Sequence, residues 1–580
     1  MNITMGRCIN IRLVLVVLLS LYCGLRSIEC NTSKQQAPQP HFTARITFPR
    51  LHPEHYRYFL KHHPLALKEF ENICNKLNEN KNVDGKTFRK LHANLTIEDP
   101  HYLEKLDYGL SIARAICSNL KSIPKICWGY EKSCHEIYLM PKCKSTNSKD
   151  DMIRWFNQAD FGFIAERRLE LSKYSSPENR NDINQSSLEC TRYFRTCRAM
   201  NLYVDLRMTD NIPVQDGADF IRAREIGGFN CSVETKRIQE ESGQRLTQSW
   251  YHELKDYKLV QDYTCDETIT IPIYFIKLSQ KVDHYELFKN FVYLYSTMHL
   301  YQRFYDHNQI FFWNEVIPET KLDPIWSVFS RNPPKTLSTF KGKRVCFANA
   351  IFTMPSEMDV GFYHDKNYPN CSGTGLFHAF ITHVLYRLNI QQTYTPEIHR
   401  STQNKLVRVT IFQGNTIPID NLGELVNKLT STTGSKFKLS VFKIEETNDL
   451  NAMLQHFHNT DILIGLPGSD LTYSLFLPDW GVVVDVSSTM SRKYHNLAKF
   501  RGLNYISKEQ SALFKDAVGN AGTNPTYTTL QFERFLVLLE DTSLIVQKER
   551  SAFFSDTEIN PSANSQRSTN NDAIGSREDL

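Results

Sequence analysis

The chain has 580 residues, 41% of them hydrophobic and 12% aromatic, with a formal charge of +5. That is enough apolar material for two or three globular domains. The charge is small and dispersed, so it supports neither a nucleic-acid ligand nor an anionic membrane surface.

Arg7 and Arg12 precede an eleven-residue stretch, LVLVVLLSLYC (13–23), and small and polar residues follow near Ser27. Such a stretch is too short for a membrane anchor, so residues 1–30 read as a secretory signal peptide and 31–47 as a polar linker. No later segment is long and apolar enough to cross a membrane. Residues 48–260 read as an α-rich region, because pieces such as HYRYFLKHHPLALKEFENICNKL carry apolar residues at helical spacing. Past Cys30 there are eleven cysteines, at 74, 117, 127, 134, 143, 190, 197, 231, 265, 346 and 371. In an oxidising lumen they read as disulfides whose pairing is left open, with one thiol over; no Cys/His group has the spacing of a zinc site. Sequons at Asn31, Asn94, Asn184, Asn230 and Asn370 are candidates for lumenal glycosylation.

From about Thr270 the pattern changes. The runs ITIPIYFIKL, QIFFW, RVCFANAIF, VRVTIFQ, FKLSVFKI, DILIGL and GVVVDVS read as strands, separated by helices such as GLFHAFITHVLYRLNI and NDLNAMLQHFH. That alternation implies an α/β fold with largely parallel sheets. There are too many strands for one small sheet. The expectation is two Rossmann-like halves, 265–400 and 401–550, followed by a disordered tail at 551–580. The tail closes on Arg577-Glu578-Asp579-Leu580, which resembles the KDEL and HDEL retrieval signals read by a receptor in the endoplasmic reticulum.

Ligands of parallel sheets bind at the carboxyl ends of strands, beside helix N-termini. The segment 461–486 offers such a place: a strand ending at Gly465, a turn through Gly468, and a helix beginning at Ser469 or Asp470 and carrying Leu471 and Thr472. Ser and Asp also cap ordinary helices, so the bare pattern fits a plain strand–helix connection too. Asp283, His284, Tyr285 and Glu286 follow the strand IPIYFIKL and lead, through Asn290, into an aromatic helix. A carboxylate there is a candidate general base, although such residues are commonly just solvated. GNTIPID, after the strand VRVTIFQ, holds no Arg or Lys for a diphosphate, and Arg331-Asn332-Pro333-Pro334 holds no carboxylate pair for a metal.

CWGYEKSC (127–134), QADFGFIAERRLEL (158–171), RYFRTCRAMNLYVDLR (192–207), REIGG (224–228), QSWYHEL (248–254), KRVCF (343–347), GTGLFHAF (373–380), HNTDILIG (458–465) and LFLPDW (475–480) occur in this order with family-like spacing. Together they resemble glycosyltransferase family 61, and within it the protein O-GlcNAc transferases that act on EGF-like domains. The resemblance implies a lumenal, inverting enzyme on a GT-B-like pair of Rossmann domains. It would move GlcNAc from UDP-GlcNAc to Ser or Thr of secretory proteins with EGF-like repeats; a divalent metal is left open. Departures fall at the sites. Where the family has His-Gly-Ala-Gly-Leu-Thr, this chain has Pro467-Gly468-Ser469-Asp470-Leu471-Thr472. Where the family has Tyr-His-His-Phe-Cys-Asp-Phe, it has Tyr285-Glu286-Leu287-Phe288-Lys289-Asn290-Phe291. An acidic element associated with activity falls on Arg331-Asn332-Pro333. Asp470 would occupy the helix N–H groups and repel a diphosphate. Two readings follow: a transferase, or a catalytically lapsed member that binds clients or partners.

Overall fold

The computed structural model describes residues 46–558 with breaks, the longest at 98–107, 129–141, 356–369 and 508–531. Ile46–Phe48 pairs in parallel with Leu95–Ile97, so the last residues of the expected linker belong to a strand. The described helices that follow include α1 (Pro53–Lys61), α2 (Pro64–Glu79), α3 (Tyr108–Lys121), α4 (Ser148–Ala159) and α5 (Phe161–Leu169), with a short helix at Gly85–Leu91 between α2 and α3. The continuous apolar pattern over α1 and α2 breaks because Pro64 takes the first position of a new helix. Cys74–Cys117 ties α2 to α3.

The helical run stops at Ser172, which corrects the expectation of an α-rich region reaching 260. Strands β1 (Ser172–Pro177), β2 (Ser187–Cys190) and β3 (Cys197–Asp205) pair antiparallel. They continue into β4 (Ile273–Ile276), β5 (Gln309–Phe312) and β6 (Arg344–Phe352). β6 is antiparallel to β3 and parallel to β4, and β4 is parallel to β5, so one sheet crosses the boundary expected at 260. Among the described residues it counts eleven strands. Gly227 and Gly228 of REIGG are required by close approach: a Cβ on Gly227 would lie 2.1 Å from the Lys258 carbonyl oxygen. Helix α6 (His284–Tyr301) crosses from β4 to β5 and is buried on nearly every side, as a helix apolar all round must be. Helix α7 (Gly375–Arg387) packs against it. Cys143–Cys371, Cys190–Cys197 and Cys265–Cys346 are the other disulfides of the described residues.

The second sheet has β7 (Val407–Gln413), β8 (Phe437–Lys443), β9 (Ile462–Gly465), β10 (Val482–Asp485) and β11 (Asn504–Ser507). All are parallel, in the order β8-β7-β9-β10-β11. Alternate residues serve opposite faces. Val409, Ile411, Ile464 and Val484 meet α8 (Leu422–Thr433) and α11 (Phe532–Glu558). Phe412, Leu463 and Val483 face α9 (Leu450–His458) and α10 (Arg492–Arg501), in a core that runs on through Phe291 and Phe380 to Leu60 and Phe70. The expected start of the tail at 551 falls inside α11, because Phe554 is buried against His399 and Trp480. Residues 559–580, with the tail signal, and 1–30 lie outside the described residues.

Candidate functional site at the carboxyl edge of the parallel sheet

The order of the second sheet is that of a doubly wound fold, with chain direction across the sheet reversing between β7 and β9. Ligands of such sheets sit outside the carboxyl ends of the strands at that switch point. Gly465 closes β9 there, and a Cβ on it would come within 3.1 Å of Leu471 Cδ2 and 3.5 Å of Phe412 Cβ. Gly468 lies in 466–468, outside the described residues, as do 414–420 and 487–490 beside it. Ser469–Phe476 then forms a 3-10 helix, in which Ser469 and Asp470 are described as backbone only. Leu471, Thr472 and Tyr473 are buried, and the Thr472 hydroxyl has no hydrogen-bond partner among the described residues.

The start of α6 meets this 3-10 helix. Asp283 caps α6, accepting from the Glu286 N–H at 2.8 Å. His284 Nδ1 is 3.4 Å from the Tyr473 hydroxyl. Thus two segments nearly two hundred positions apart in the chain, both singled out by their chemistry, adjoin. Each carboxylate has a lysine: Lys493 Nζ lies 3.5 Å from Asp283 Oδ2, and Lys289 Nζ lies 2.7 Å from Glu286 Oε2. Asn290 donates to the Glu286 carbonyl at 2.9 Å and serves the helix backbone.

Lys493 escapes a search confined to the loop after β7. It stands in the first turn of α10, reached from the carboxyl end of β10, with its ammonium 3.8 Å above the Tyr285 ring. Burial outweighs the pull of Asp283 and Glu286 and holds that ammonium below its ordinary range. The usable signal is SRKYH, three residues past the strand run GVVVDVS. Asp485, at the end of β10 in register with Gly465, is also new. Fully buried, it accepts from the Tyr505 hydroxyl and from the Ser491 N–H, anchoring the entry to α10. Burial and the Asp485 charge push the Tyr505 phenol far up.

Other candidates stand elsewhere. Arg331 and Asn332 lie at the amino edge of the first sheet, where Arg331 Nε meets Asp306 Oδ1 at 2.7 Å and Asn332 donates to the Asn308 carbonyl at 2.7 Å. Asp479 of LFLPDW is a tie between elements: Arg501 Nη1 is 2.6 Å and His378 Nδ1 3.7 Å from its Oδ1. Among the described residues no cluster of His, Cys, Asp or Glu is placed to hold a metal ion, and no helix is long and apolar enough to cross a membrane. Asn230 and Asn370 are exposed; Asn94 and Asn184 lie outside the described residues.

A doubly wound parallel sheet, with the start of α6 laid against the 3-10 helix that follows β9, defines an α/β protein. No family model matches the chain. Among curated proteins, the EGF domain-specific O-linked N-acetylglucosamine transferase of Bos taurus is 36% identical over 448 residues, covering 72% of this chain and 81% of that protein. The proteins of the same name from Gallus gallus (36% over 450 residues, 72% and 81%) and Drosophila melanogaster (29% over 446, 72% and 83%) are similar over comparable spans. The chain belongs to the EGF domain-specific O-linked N-acetylglucosamine transferase family, a family of glycosyltransferases.

Proposed function

We propose that the protein transfers GlcNAc from UDP-GlcNAc to Ser or Thr of EGF-like domains, with inversion, in the lumen of the endoplasmic reticulum. The carrying observation is the meeting of the 3-10 helix after β9 with the capped start of α6, which brings Asp283 and His284 to the switch-point edge of the second sheet. The two sheets act as the two halves of a GT-B-like arrangement, with the donor on the second. Gly465, Gly468, Ser469, Leu471 and Thr472 surround the diphosphate, while Asp283 serves as general base. The acceptor oxygen bonds to C1 of the sugar, the bond from C1 to the phosphate oxygen breaks with its electron pair leaving on UDP, and the acceptor proton passes to Asp283. The signal peptide, the Arg577–Leu580 retrieval signal and glycans at Asn94, Asn184, Asn230 and Asn370 suit that compartment.

A second reading, a lapsed member that holds EGF-like clients or partners without turnover, is favoured by Asp470 in the turn and by the ion pairing of both candidate acids. Incubating the purified protein with labelled UDP-GlcNAc and a panel of folded EGF repeats separates the two. Transfer of label, lost in Asp283→Asn, establishes the first; tight repeat binding with no label establishes the second.

A further inference from the structure

Donor binding needs positive charge near the β9 turn, because a diphosphate carries about two negative charges and Asp470 adds another. The loop after β7 supplies none. Where the 3-10 helix, α6 and α10 meet, Lys493 stands beside Lys289 and is the one of the two carried by the element that follows the carboxyl end of β10. Three features mark it as a group awaiting an anion rather than a fixed strut. Its side chain keeps 32% of its surface exposed. Its contact with Asp283, at 3.5 Å, is longer than the 2.7 Å of the neighbouring Lys289–Glu286 pair. Finally, its ammonium rests over the Tyr285 ring, an interaction of about 1 kcal/mol that a phosphate contact readily replaces.

We propose that Lys493 is the diphosphate-binding cation of the site and that Asp283 is its stand-in counter-ion, exchanged for the donor phosphates when UDP-sugar binds. The exchange couples two events. A donor that takes Lys493 leaves Asp283 without its cation, and that carboxylate is then free to accept a proton from the acceptor hydroxyl. Donor binding would therefore precede productive acceptor binding. This inference rests on the donor-site reading above.

The test compares UDP with uridine by calorimetry on the full chain and its variants. The wild type is expected to bind UDP more tightly than uridine. Lys493→Met should weaken UDP about ten- to a hundredfold, the loss expected for one charge-assisted contact, and leave uridine unchanged, which also shows that the site is folded. Lys493→Arg should retain most of the UDP preference. Asp283→Asn keeps a good helix cap and should bind UDP several-fold more tightly while losing turnover. UDP binding by Lys493→Met equal to wild type, or UDP binding by Asp283→Asn no tighter than wild type, overturns the inference and leaves the donor-site reading standing. A wild type that binds UDP no better than uridine overturns both.

Discussion

Asp160 lies buried between α5 and α7 and accepts from the N–H groups of Phe161, Gly375 and Leu376 at 2.8, 2.7 and 2.7 Å. One carboxylate thus serves two helix starts, and Trp155 reinforces the junction by donating to the Gly373 carbonyl at 2.8 Å. Asp160→Ala should cost about 3 kcal/mol, read as a fall in the urea midpoint, since it orphans buried donors. At the site itself, Asp470→Gly should tighten UDP binding by removing a carboxylate from the helix start; unchanged affinity in calorimetry would remove the electrostatic argument against the donor. Residue chemistry of this kind is only half legible in a sequence. Asp283 and the 465–472 turn stand out because each follows an apolar run. Lys493 does not, because its relevance depends on which helix start the fold lays beside α6.

Ion pairs join the elements of the second sheet. Asp461, at the amino end of β9, receives Arg408 of β7 at 2.8 Å, the Trp480 indole N–H at 2.9 Å, and Arg550 of α11. Asp461, Trp480 and Arg550 are buried and Arg408 is half-buried, and the two guanidinium groups overcome burial to hold the Asp461 carboxyl below its usual range. Arg550→Met should therefore destabilise by about 3–5 kcal/mol, as breaking one arm of a buried pair does, with a matching drop in the denaturant midpoint. Elements differ in how openly the sequence announces them. β9 and β10 are runs of Val, Ile and Leu buried on both faces, which a reader can find. β3 is not: it buries Cys197 and Ala199, then Leu202 and Val204, so its alternation slips at Asn201, which has φ 48°. β1, as SKYSSP, and the EIGG strand carry almost no apolar signal, being held by neighbours rather than by their own propensity.

Across the molecule, three histidines from distant segments meet in one core. His55, His299 and His383 are at most 3% exposed and cluster around Tyr295, with the His55 and His383 rings 5.8 Å apart. Burial, with mutual repulsion and the charges of Arg168 and Arg387, keeps all three neutral, their pKa values well below 6.5. The unfolded chain binds protons at these rings below about pH 6.5 and the folded chain does not, so stability falls as the medium is acidified. His378 works the other way: Asp479 outweighs burial and raises it. The melting temperature should drop between pH 6.5 and 5, and His383→Phe should flatten that slope in part, each ring contributing at most about 1.4 kcal/mol per pH unit. One sheet crosses the boundary expected at 260 because β3 pairs with β6, and such long-range pairing leaves no trace in local pattern. Helix α11 adds a last consequence. Together with α8 it closes one face of the second sheet, and it carries one of the two arginines paired with Asp461, yet it is made after every strand it covers. During synthesis that face must therefore wait, bare, until the ribosome releases the helix, and a late nonsense codon upstream of Phe532 would leave the finished sheet permanently open to chaperones and degradation.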